Sequence, residues 1–162
     1  MITWYDIYWA ALKSVIHSAW PDVPAGQFYS DTNLERYDWI NLLNSGQMSG
    51  VWCAVKLDIT PDDIVPDWPS YRVAATINYI TPSKFAPGNN AAEKTVTEFI
   101  AGKLTLLSQA LRACMTLGTV ATAMSLSVNA DNAINIGLLG GKVPYQSGSL
   151  TVTSVIIDGG GA

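Results

Sequence analysis

One histidine, His17, and two cysteines, Cys53 and Cys114, are all the chain offers in thiolate or imidazole ligands over 162 residues. These are too few for the three or four nitrogen and sulfur ligands of an ordinary zinc site. A Ser-His-Asp triad would have to use His17 near the end of a helix, with no nucleophile motif elsewhere. His17 reads instead as a surface or half-buried histidine whose protonated form would suit the helix dipole. The two cysteines lie far apart, one in a strand pattern and one on a helix stripe, so both read as small core residues and imply no disulfide framework. Charge is scarce as well: 14% of residues carry one, nine basic against thirteen acidic, for a formal net charge of −4. The lysines and arginines are scattered singly, which excludes a phosphate-binding groove and sequence-specific nucleic-acid recognition. No apolar run reaches the roughly 18 residues needed to span a bilayer. The N-terminus also lacks the basic segment, apolar run and cleavage site of a signal peptide, so a soluble product made in the cytoplasm is expected.

What the chain does have is apolar and aromatic bulk, with 49% hydrophobic residues, six Trp and seven Tyr. So little charge on so much apolar surface leans toward subunit contacts. The longest helical period runs from Asn90 to Met115, opened by Asn90 and Glu93 at capping-box spacing. Val96, Ile100, Leu104, Leu107, Leu111 and Cys114 form one narrow stripe, and Phe99, Leu106, Ala110 and Ala113 widen it to about half the circumference. Lys103 projects from the middle of that arc, and reads as a snorkelling stem or an interface ion pair rather than a catalytic lysine.

A first helix is expected from Thr3 to Ala19, beside the long one, with Trp4, Ile7, Tyr8, Ala11, Leu12, Val15, Ile16 and Ala19 as its apolar stripe. Pro21 ends it. A connection follows, with a short extended piece at Gln27 to Tyr29. Thr32 and Glu35 repeat the capping spacing ahead of a short helix to Leu43, for which a strand pair is the alternative. Val51 to Ile59 and Tyr71 to Ile80 alternate as half-buried strands of one hairpin. Beyond Gly118 the period returns to two over Thr119 to Val128, Ala133 to Leu139 and Leu150 to Ile157. The turn at Asn129 to Asn132 is expected to join the first two of these as a hairpin, and Gly140 to Ser149 to be a long connection. The expected fold is therefore α+β: a mainly antiparallel sheet of about five strands with two or three helices on one face. A single domain is expected over residues 1–162, with a long hairpin loop at 60–70 and a frayed tail at 158–162.

Few constellations could carry chemistry. Gly137 to Lys142 resembles a phosphate loop only superficially, because the glycine spacing is wrong and Val143 stands where Ser or Thr is needed. Asn129, Asp131 and Asn132 resemble the start of a calcium loop, but Ala133 takes a ligand position and the distal glutamate is missing. Asp58, Asp62, Asp63 and Asp67 are the densest acids, and on a proline-rich loop they read as solvated carboxylates rather than a cation site. Trp68, between Asp67 and Pro69, is a large aromatic on a stiff loop, suited to anchoring a neighbouring subunit. No catalytic residue, cofactor site or metal site is assigned.

The order just read is an N-terminal amphipathic helix, a hairpin written VWCAVKLDI and YRVAATINYI, the helix TVTEFIAGKLTLLSQALRA, and the closing SLSVNADNAINIGLL with SLTVTSVII. This order resembles the tail terminator proteins of tailed bacteriophages, over most of the chain from Thr3 to Ile157. The resemblance implies a virion protein of the tail neck and no enzyme. Its subunits would form a ring, commonly a hexamer, that stops tail-tube growth and joins the tube to the head connector. Its partners would be the tail-tube protein and the head-tail connector. Under that reading the subunit boundary draws on Trp68, Lys103, Asp62, Asp63 and Asp67, with Lys103 meeting the acidic loop of a neighbour. Another neck or tail-tube subunit, a cellular protein-binding domain displaying Trp68, and a small enzyme using Asp62, Asp63 and Lys103 are the other classes.

The solvated reading of the loop carboxylates has a direct test. Replacing Asp62 and Asp63 together by Asn is expected to leave melting within about 0.5 kcal/mol of the wild type and calorimetric titration with divalent cations flat in both proteins. A stoichiometric cation site lost in the double variant would contradict it.

Overall fold

The computed structural model describes residues 4–30, 50–62, 70–82, 90–114, 123–127, 134–139 and 143–157. Helix α1 spans Trp4–Ala19 and buries Tyr8, Leu12 and Ile16, one residue per turn. Trp20 still donates its backbone N–H to Ile16 O (2.8 Å), but Pro21 has no N–H to continue, and the chain turns away. One 3-10 turn, Ala25–Gln27, leads into the short strand β1, Phe28–Ser30. The long strands β2 (Trp52–Asp62) and β3 (Ser70–Pro82) precede helix α2, Asn90–Ala113. Strands β4 (Ala123–Ser127), β5 (Ile134–Leu139) and β6 (Val143–Ile157) close the chain. No helix among the described residues is long and apolar enough to cross a membrane. The short helix expected from Thr32 to Leu43 and the tail at 158–162 lie outside the described residues.

Two helices and an antiparallel sheet make this an α+β fold, but the sheet is not simply the five strands the alternation suggests. Its core is three long antiparallel strands, β2, β3 and β6, and the shorter strands add at the edges. β1 runs parallel to β2 and pairs only with Cys53 to Val55. Pro61 therefore sits in β2 where no second neighbour among the described residues would need its missing N–H. The β2–β3 ladder continues to Asp62 opposite Ser70, so the strands reach two residues beyond the expected start of the loop.

Two expectations fail at β6. The strand begins at Val143, so most of the supposed connection from Gly140 to Ser149 is extended chain, paired with β3 on one side and β5 on the other. β4 and β5 form no hairpin with each other. Both run antiparallel to β6, β4 along Thr151 to Val155 and β5 along Val143 to Gly148, so they follow one another along the same edge. Two strands antiparallel to a common partner share a direction and cannot be the two arms of a tight turn.

Pairing registers stack one face into apolar rows, Val55–Ile77–Leu150 and Leu57–Ala75–Val152, on which both helices lie. The opposite face is polar across the rows Lys56–Thr76–Thr151 and Ala54–Asn78–Ser149. There the Thr76 and Thr151 hydroxyls meet at 3.2 Å, and Asn78 Nδ2 donates to Ala54 O at 3.2 Å. On α2 the narrow stripe behaves as expected: Val96, Ile100, Leu104, Leu107 and Leu111 are buried. The three leucines contribute roughly 1.5–3 kcal/mol each, well above any propensity term, so packing decides this helix. The residues expected to widen the stripe do not follow it inward, since Phe99 is 45% exposed and Leu106 48%. Ile7 of α1, also expected on a buried stripe, is 48% exposed.

Leu106 and Leu107 thus share one chemistry in opposite surroundings. Leu107→Ala is expected to cost about 2–5 kcal/mol in urea unfolding, and Leu106→Ala under about 1 kcal/mol. Equal costs would mean that the rotation of α2 is wrong.

Candidate functional site: an anchored lysine beside an exposed helix stripe

The best-organised polar group joins the end of α1, strand β3 and α2. Trp20, fully buried just past α1, donates its indole N–H to the backbone oxygen of Lys103 at 2.8 Å. Its ring meets Tyr79 edge-on, with centroids 5.1 Å apart. Tyr79, pointing inward from β3, donates its hydroxyl to Asp22 Oδ2 at 2.6 Å, and Lys103 Nζ donates to the same oxygen at 2.9 Å. The ammonium also lies 5.3 Å from the centroid of Tyr79 and 5.7 Å from that of Phe99, within cation–π range of both. The Lys103 side chain is 19% exposed and that of Asp22 35%.

The electrostatics follow from these contacts. Partial burial pushes the Asp22 carboxyl up, but the Tyr79 hydrogen bond and the Lys103 charge outweigh it and hold the group below its ordinary range. Burial first, and the Asp22 carboxylate second, raise the Tyr79 phenol far above its usual value. The phenol therefore stays a donor and the carboxylate a doubly bonded acceptor. Such a set holds elements together, and offers neither a free base nor an activated nucleophile.

The contact expected of Lys103 loses part of its ground. It rested on a charge left unmet in an apolar arc, and Asp22, 81 residues away in sequence, meets that charge inside the subunit. Lys103→Glu would now set two carboxylates together within the fold, so it cannot serve as a clean assembly variant. Asp62 ends β2 opposite Ser70; Asp63, Asp67 and Trp68 lie outside the described residues. Among the described residues no three His, Cys, Asp or Glu side chains gather as a metal group. Gly137 lies in β5 and the chain goes on into β6, so no helix follows it to build a phosphate loop.

Sequence reasoning missed Trp20, Asp22 and Tyr79 as partners. The signals were weak but present: an inward phenol and a lysine in an apolar arc each need a partner. Nothing in the sequence selects Asp22 from thirteen acidic residues.

A second buried polar pair lies deeper. Tyr8 of α1 and Ser154 of β6 are fully buried, and neither hydroxyl has a hydrogen bond of good geometry. They are near enough for the serine to temper the upward shift that burial gives the phenol. Cys53 is likewise buried, its thiol pushed up by desolvation, and Cys114 is half-buried; both are free.

No protein-family model and no curated protein matches the chain.

Because the folded-state pKa of Asp22 lies below its unfolded value, its stabilisation is present at neutral pH and is lost as pH falls through the lowered folded-state value. Asp22→Asn is expected to melt below the wild type at about pH 7 and to approach it as the pH falls below the ordinary carboxylate value of about 3.9. A gap between the two that is independent of pH would exclude the ion pair as its source.

Proposed function

We propose that the protein is a structural virion subunit of the tail-terminator kind, forming a ring, of six copies in the commonest arrangement, at the top of a phage tail. The ring would end tube growth and join the tube to the head connector. The observation that carries this reading is the exposed half of α2. A helix covered only by its own sheet usually shows an apolar arc somewhat over 100° wide, yet here Phe99 and Leu106 extend the arc beyond what the subunit covers. Exposed large side chains in line on a rigid helix suit a protein–protein contact. The element order of helix, hairpin, helix and closing strands also fits the resemblance seen in the sequence. A second contact is assigned, by sequence, to the arm between β2 and β3, with Trp68 as its apolar anchor and Asp62, Asp63 and Asp67 as an acidic rim.

Light scattering at micromolar concentration, with and without the tail-tube protein of the same phage, tests this directly. The wild type is expected to give a defined ring in at least the second condition. Leu106→Glu is expected to abolish it while leaving the melting temperature nearly unchanged, because the side chain replaced is half exposed. A monomer in both conditions would overturn the reading and favour a cellular protein-binding domain.

A further inference from the structure

We infer that free subunits pair through the exposed stripe with a second copy of the same chain, α2 lying antiparallel against α2, and that ring assembly has to part them. The inference rests on the reading of this stripe as a subunit contact, and adds what covers it beforehand. Phe99, Gly102, Leu106 and Ala113 are exposed at steps of three, four and seven, the spacing of a seam along which helices pair. At Gly102 a Cβ would meet nothing within 4 Å, so the backbone there is open to close approach.

Size decides the direction. In a parallel pair, like residues meet, so Phe99 and Leu106 would each crowd their own copy while Gly102 left a gap. In an antiparallel pair Leu106 lies over the partner copy at the level of Gly102, and the two-fold axis repeats the fit. The same alignment brings Phe99 level with Gln109, next to the small Ala110. Charge agrees with size. Glu98 and Arg112 are both exposed on the flank of the stripe. In the antiparallel alignment each lies within about 3 Å, along the axis, of the opposite charge on the other copy. In a parallel one the two-fold axis would place this flank of one copy on the opposite side of the seam from the same flank of the other, so Glu98 and Arg112 would not meet across it. The Lys94 contact with Glu98, at 3.9 Å between strongly exposed side chains, is too weak to withhold Glu98 from that pairing. Lys103 comes close to its own symmetry mate near the axis, and Asp22 removes the repulsion by neutralising each copy from within.

From Phe99 to Ala113 the stripe is about 21 Å long. One helix face of that length buries less than the roughly 800 Å² per partner of a standard interface. The pairing is therefore weak and reversible, as a store of assembly-competent subunits requires.

Sedimentation equilibrium of the full chain at about 100 µM, without tube protein, is expected to show a monomer–dimer equilibrium. Glu98→Arg and Arg112→Glu are each expected to raise the dimer Kd about tenfold, and the doubly reversed protein to restore it. A strictly monomeric wild type, unchanged affinity in the single variants, or no recovery in the double variant would overturn the pairing. Ring formation with the tube protein is read separately: rings without a free dimer defeat this inference alone, and a free dimer without rings defeats the ring alone.

Discussion

The rotation of α2 about its own axis depends on the tie between Lys103, Asp22, Tyr79 and Trp20. A helix whose apolar arc covers about half its circumference can turn by a few tens of degrees and still present leucine and isoleucine to a sheet, so burial alone distinguishes such rotations poorly. The polar contacts distinguish them well. Only one rotation brings the Lys103 ammonium within 2.9 Å of Asp22 and turns the Lys103 carbonyl toward the indole N–H of the buried Trp20. Had the helix rolled to bury Phe99 and Leu106, the lysine would have gone in without its carboxylate, at a cost of several kcal/mol. The net stabilisation by a partly buried ion pair is small. Its effect on which of two nearly equal packings is chosen is large.

That choice explains where the subunit is polar and where it is not. One face of β2, β3 and β6 carries the apolar rows that α1 and α2 cover, and the other carries threonine and asparagine bonded across strands. Among the described residues the buried hydroxyls of Tyr8 and Ser154 interrupt the apolar packing without a hydrogen bond of good geometry, near enough to each other to interact. The surplus apolar area is confined to a few large side chains. Among the described residues Phe99 and Leu106 place part of it on α2, beside the tie, while Ile7 and Ile59 expose the rest on α1 and β2.

Legibility in the sequence tracked how local the deciding forces were. The faces of α2 and β3 were readable because burial of period 3.6 or 2 is written into adjacent residues: Val96, Ile100 and Leu107, or Val73, Ala75 and Ile77. The first half of β6 was not, since Tyr145, Gln146, Ser147, Gly148 and Ser149 have no alternation and are extended because β3 and β5 bond them from both sides. Turn chemistry at Asn129 to Asn132 suggested a hairpin, but turn residues do not say which strand the next one will join; β6 takes both. The lysine was visible as an anomaly, and its partner was hidden because the Pro21–Pro24 segment reads as a plain connection. Acids look alike in a sequence, and only the packing of α1 against α2 brings Asp22 to Lys103.

The joint and the proposed contact surface share a residue, which under that proposal ties stability to association. Phe99 is held on one side by the Lys103 ammonium and the edge of Tyr79, 6.2 Å between ring centroids, and is open on the other. A ring already confined before binding loses less rotamer freedom when a partner covers it, and that loss is a large part of what limits affinity at a small interface. The internal ion pair thus does more than select the helix rotation. It keeps Phe99 oriented, and it does so without spending a charge at the surface proposed for docking.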